Sequence, residues 1–124
     1  MDSWIFRLSP AADWARFRET GRFAGSPADI ADGFVHFSRA GQVAATAQRH
    51  YAGAGPLVLL AVEAGPLGAA LKWEPSRGGD LFPHLYAEFR LADVAAARPV
   101  DGRDFAFLAR CPQPTETEAW TFIR

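Results

Sequence analysis

Leu57-Val58-Leu59-Leu60-Ala61-Val62 is an unbroken apolar run near the middle of the chain. A strand covered on both faces reads this way, because neither face needs polar residues for solvent. Gly53 and Gly55 lie just before it and end the preceding helical pattern. The run is predicted as a buried central strand.

The flanking segments are mixed. Trp4 to Leu8 reads as a strand. Ser9-Pro10 then opens a helix, with Ser9 as the cap and Pro10 in the first turn, where a missing N–H costs nothing. Trp14 and Phe17 share a helix face, and Gly21 stops it. Ser26-Pro27-Ala28-Asp29 is a further helical turn, and Asp32-Gly33 a turn signal. Phe34 to Phe37 is a short strand. Ser38 is predicted to cap a helix from Arg39 to about Tyr51, on the spacing of Ala40, Val43, Ala44, Ala47 and Tyr51. After the apolar run come a short helix or turn at Pro66–Ala70 and strands beginning at Leu71, at Leu85 and at Ala95. Asp101-Gly102 is read as a hairpin turn into Phe105–Leu108. The expected fold is α+β, with a mainly antiparallel sheet and two principal helices. Residues 1–100 are expected to form one domain and 101–124 a hairpin or tail extension whose closing aromatics, Trp120 and Phe122, could dock back.

Thirteen basic and fourteen acidic side chains leave a net charge of −1 without a basic run. That excludes duplex nucleic acid as an expected partner. No stretch is long and apolar enough to span a bilayer. The start lacks the features of a secretory signal, so a cytoplasmic location is expected. Cys111 is the one cysteine and is read as an incidental thiol. His36, His50 and His84 match no compact ligand spacing, so no metal is expected. His50, at a helix end, is read as structural.

Residues 73–86 carry the chemistry. Trp73, Glu74, Ser76, Arg77, His84 and Tyr86 are concentrated there, with Gly78-Gly79 between. Two prolines and the paired glycines are expected to hold most of this stretch in a loop, and such loops line sites. Arg77 is the principal anion-binding candidate, since a guanidinium grips phosphate or carboxylate at two points. Glu74 is a candidate catalytic carboxylate, with a raised pKa or as an orienting acceptor for a ribose hydroxyl; a salt bridge to Arg77 or Lys72 is its structural alternative. His36 shares a strand face with Phe34, opposite Val35 and Phe37. It is either a core histidine or a pocket group that donates to a ligand. Ser38, at the strand-to-helix junction, is a cap that could also help hold phosphate. Arg7 lies among apolar neighbours and is expected either to be paired or to snorkel.

The segments Asp32–Ser38, Gln42, Leu57–Val62, Trp73–Gly79 and Phe82–Tyr86 resemble an uncharacterised bacterial family, domain of unknown function 952, over about residues 4 to 100. Phe37 stands where that family often has leucine, and Gly41 where an acidic residue would help cap the helix. Through this family the chain resembles, more distantly, the ADP-ribosyltransferases and the RNA 2′-phosphotransferases that use NAD. His36-Phe37-Ser38, the following helix and Leu57–Val62 carry that likeness. It implies an ADP-ribosyltransferase-like sheet and a nucleotide pocket. It also implies NAD as a substrate rather than a resident cofactor, with Arg7, His36 and Glu74 in NAD-site roles. Only His36 and Ser38 match residue by residue, and the basic residues that hold RNA phosphate are not evident.

Three readings follow. The first is an NAD-using transferase or glycohydrolase, with His36 and Glu74 catalytic. In it Arg7, Ser38, Trp73, Ser76, Arg77, His84 and Tyr86 bind the ligand, and Trp73 or Tyr86 stacks on a ring. The second is a non-catalytic module for a nucleotide or other anionic metabolite. The third is a protein-interaction module using the aromatic loop. No oligomeric state is legible.

Overall fold

The computed structural model of the protein describes residues 2–111, 113–114 and 119–123. The Thr/Glu part of the expected tail, 115–118, lies outside the described residues.

Leu57–Val62 forms most of strand β3 (Pro56–Glu63). Strand β1 (Trp4–Pro10) pairs antiparallel along one edge of it, and β6 (Val94–Asp101) along the other. A short β7 (Thr121–Phe122) then pairs with β6. The apolar run has no polar face because both faces are covered. Leu60 and Val62 join Ile5, Trp14 and Phe17 in one buried cluster. Leu57, Leu59 and Ala61 join Phe6, Leu8, Val43 and Ala47 in the other. Helix α1 (Ala11–Thr20) covers the first side with Trp14 and Phe17. Helix α3 (Val43–His50) covers the second with Val43 and Ala47.

A second, three-stranded antiparallel sheet contains β2 (Val35–His36), β5 (Leu81–Leu85) and β4 (Leu71–Pro75), with β5 central. The two sheets meet where Phe6 and Ser38 exchange backbone hydrogen bonds of 2.9 and 2.8 Å. The architecture is α+β with antiparallel sheets, as the sequence predicts.

Several local expectations are corrected. Ser9 does not cap α1: β1 runs on to Pro10, and the Ser9 hydroxyl donates to the Pro10 carbonyl. Ser38 does not cap α3, because its backbone is committed to Phe6. A 3₁₀ turn, Ala40–Gln42, comes first, and the Gln42 side chain caps it by accepting from the Arg39 N–H.

Residues 73–86 are mostly regular. They form the β4–β5 hairpin, closed by a tight turn at Arg77–Gly79. Pro83 sits in a central strand because its carbonyl, and so its missing N–H, faces Phe37, just past the end of β2. The strand expected from Leu85 onward therefore lies earlier. Phe105–Leu108 is not a strand; Ala106–Arg110 is a 3₁₀ turn that buries Leu108 in the second cluster.

Candidate functional site

A cleft of about 780 Å³ opens beside the edge of β1. Its wall is built from β1, the start of α2 (Pro27–Asp32), the residues around β2, one face of α3 and the hairpin turn.

Alternation on the second sheet sorts the hairpin residues. Leu71, Leu85 and the partly buried Trp73 pack against the first core cluster. Phe82, His84 and His36 face the cleft. Trp73 is thus withdrawn from the cleft and cannot stack on a ligand there. Tyr86 is exposed and also lies outside the cleft lining. Arg77, Ser76, Arg7, Ser38, His36 and His84 all line it.

Arg7 is paired. Its Nη1 and Nη2 donate to the two oxygens of Asp29 at 2.9 and 2.7 Å, and both side chains are buried. Nη1 also donates to the His36 carbonyl. Asp29 further accepts from the His36 backbone N–H at 3.0 Å and faces His36 Nδ1 at 2.7 Å. Its other oxygen takes the Ser26 N–H in the capping box that starts α2. Burial alone would raise the Asp29 pKa. The hydrogen bonds from His36 and Arg7 outweigh it, and hold the carboxyl far below the usual carboxylate range.

On the other side of the ring, His36 Nε2 lies 2.9 Å from Asp32. A carboxylate at each nitrogen favours the imidazolium form, in which both nitrogens donate. The Asp29 hydrogen bond is the largest cause of a raised His36 pKa; burial opposes it and Asp32 adds to it. His36 is therefore neither a core histidine satisfied by a carbonyl nor a donor free for a ligand.

Glu74 differs from expectation. It pairs with neither Arg77 nor Lys72. Its Oε1 accepts from the Tyr86 hydroxyl at 2.7 Å and lies 2.9 Å from His84 Nδ1. These two hydrogen bonds, Tyr86 first, lower its pKa rather than raise it. The same contact raises the Tyr86 pKa. Glu74 does not itself line the cleft and reaches it only through His84. His84 is buried, with its ring stacked on Phe34 at 4.1 Å between centroids.

Arg77 leans over the Phe82 ring, 5.0 Å from its centroid, and its Nη2 donates to the Thr46 hydroxyl at 3.2 Å. Thr46 also contacts the Ser38 hydroxyl at 3.2 Å. Thr46, Arg49 and His50 fall at helical spacing and line the cleft from α3. His50 is thus at the site rather than merely at a helix end. Burial, then Arg77 and Arg49, lower its pKa. Gly78 and Gly79 have φ of 71° and 84°, so the hairpin turn itself requires glycine there.

The expected Cys111 reading gains a physical basis: burial pushes the thiol up to about 11, which leaves it un-ionised and weakly nucleophilic at neutral pH. Sequence reasoning missed Asp29, Asp32, Thr46 and Arg49. Ser26-Pro27-Ala28-Asp29 signals a capping box, and Thr46-x-x-Arg49-His50 one helix face. Neither pattern announces which distant side chains it will meet.

An α+β protein with a basic, histidine-bearing cleft between two antiparallel sheets is the class this geometry defines. The chain matches the family described as a protein of unknown function (DUF952) over residues 8–97, and it belongs to that family. It is similar to CC0527 from Caulobacter crescentus. The crystal structure of that protein has 47% sequence identity and a TM-score of 0.72, over 79% of this chain and 84% of that one. Its solution NMR structure has 46% identity and a TM-score of 0.69, over 81% and 84%. No curated protein matches the chain.

Proposed function

We propose that the protein binds a small anionic ligand, a nucleotide or other phosphate-bearing metabolite, in the cleft beside β1. One observation carries this reading. The cleft is lined by Arg7, Arg49, Arg77, His36, His50 and His84 and, among the described residues, by no aspartate or glutamate, in a chain whose net charge is −1. Arg7 is neutralised by Asp29. Arg77 and Arg49 make no ion pair among the described residues. Two guanidinium groups beside the Ser38, Thr46 and Ser76 hydroxyls suit phosphate oxygens.

The resemblance to NAD-using transferases makes NAD a ligand to test. The geometry supports binding more than glycoside chemistry. A carboxylate that stabilises a cationic ribose must face it, and Glu74 is turned away towards Tyr86 and His84. An interaction module anchored on Trp73 is also poorly supported, since that indole packs on the core.

The test is thermal unfolding with inorganic phosphate, NAD, ADP-ribose, simple nucleotides and dicarboxylates, repeated on Arg77→Ala. A ligand at about a hundred times its dissociation constant adds about 2.7 kcal/mol. The expected result is a rise in melting temperature with phosphate-bearing ligands that is lost in Arg77→Ala. No shift across the panel at millimolar ligand, with the variant as stable as the parent, overturns the reading.

A further inference from the structure

On the cleft wall, one imidazole nitrogen makes no hydrogen bond to the described residues and is open to the ligand space. His84 is 5% exposed and lines the cleft. Its Nδ1 faces Glu74 Oε1 at 2.9 Å. An ionised carboxylate only accepts, so Nδ1 carries the proton. In the neutral ring Nε2 is then a lone-pair acceptor, and it makes no hydrogen bond among the described residues. Its orientation is fixed from several sides. Phe34 stacks on the ring at 4.1 Å, and Tyr86 donates to the same Glu74 oxygen at 2.7 Å. A ligand hydroxyl set there exchanges its bond to water for one to a nitrogen whose orientation is already fixed, a net gain of about 1 kcal/mol.

We propose that His84 Nε2 accepts a hydrogen bond from a hydroxyl of the ligand, with Glu74 as the positioning residue, so the cleft selects organic phosphates that carry a hydroxyl. The inference rests on the anion reading above and adds a second point of recognition. A fully ionised alkyl phosphate satisfies Arg77 and leaves Nε2 bare. Polyol phosphates satisfy both. His36, the other ring at this level, cannot take the role, because Asp29 and Asp32 occupy both its nitrogens.

The test compares glycerol 3-phosphate with n-propyl phosphate, which has the same carbon count and charge but no hydroxyl. Affinities are measured by calorimetry on the full chain, on His84→Phe and on Arg77→Ala. The expected preference for glycerol 3-phosphate is about five- to tenfold, the net value of one hydrogen bond. In His84→Phe the preference collapses to near unity while n-propyl phosphate binding persists. The ¹⁵N spectrum of the unmodified protein gives a second reading that needs no variant. His84 Nε2 is expected to resonate as an unprotonated nitrogen and to move with glycerol 3-phosphate but not with n-propyl phosphate. Equal affinity for the two esters, both lost in Arg77→Ala, overturns the His84 inference and leaves the anion reading intact. A protonated Nε2 in the free protein also overturns it. Binding of neither ester overturns both.

Discussion

Asp29 shows how one side chain can hold a site without touching its ligand. It neutralises Arg7, fixes His36 and caps α2 through Ser26. Removing its charge strands a buried guanidinium. Breaking a buried pair at one partner costs about 3–5 kcal/mol. Asp29→Asn is therefore expected to lose about that much in urea unfolding, with an unchanged m-value; a loss under 1 kcal/mol would show that Arg7 finds other partners. His36 sets a pH dependence of opposite sense. Its pKa is raised above the ordinary 6.5, so its stabilising contribution is complete below that value. The contribution is lost as pH rises through the raised pKa. Asp29, whose pKa is lowered, contributes above the ordinary carboxylate range and loses its share as pH falls below it. Stability is expected to peak between the two limbs. His36→Gln should remove the alkaline limb and weaken the acid one without abolishing it, because Arg7 still holds Asp29, read from unfolding midpoints between about pH 2 and 9. An alkaline limb that survives in the variant belongs to another group.

At the scale of elements, the strands with the simplest patterns were legible. Leu57–Val62 is central because six apolar residues in a row need cover on both faces. The 73–86 stretch misled because proline and glycine signal irregularity. Here Pro75 ends a strand, Pro83 sits where its partner strand stops, and the two glycines make one tight turn. Ser38 misled because a serine before a helical pattern is a good cap, yet a bridge between sheets had a prior claim on its backbone. The candidate cleft was half legible. Arg77, His84 and Ser76 were visible as functional types, whereas the Arg7–Asp29–His36 cluster joins residues 22 and 29 positions apart in sequence. The loop joining α3 to β3 illustrates a different limit. Gly102 donates to Gly55 and accepts from Gly53, so two backbones lie in contact. A Cβ on Gly102 would stand 2.4 Å from the Gly55 oxygen and 2.8 Å from its nitrogen. Backbone atoms cannot rotate away, so Gly102→Ala is expected to cost about 1–3 kcal/mol. Gly41→Ala is the matched control, with open space around it and no positive φ. It should be neutral or stabilising by about 0.4–1 kcal/mol. Equal effects from the two substitutions would remove the steric argument.

For the whole molecule, the question is what closes the second face of the main sheet. Phe6, Leu59, Ala61 and Ala96 alone would leave it open beyond α3. Leu108 and Trp120 complete it, 1% and 5% exposed, although both lie after residue 97, where the family match ends. Trp120 also stacks against Arg98, which is held 4.5 Å from the Phe107 ring centroid and 5.6 Å from that of Trp120. The guanidinium thus lies against two rings contributed by the late part of the chain. β7 then fixes the end by pairing Phe122 with Ala96. Trp120→Ala is expected to cost about 3–5 kcal/mol, the usual penalty for emptying an aromatic site in a core. Trp120 does not line the cleft, so anion binding by the folded variant should match the parent at temperatures well below its lowered melting point. Stability and binding separate in this way only if the late segment supports the sheet and leaves the cleft alone. A variant that keeps its stability but loses the ligand-induced shift would instead make Trp120 part of the binding surface.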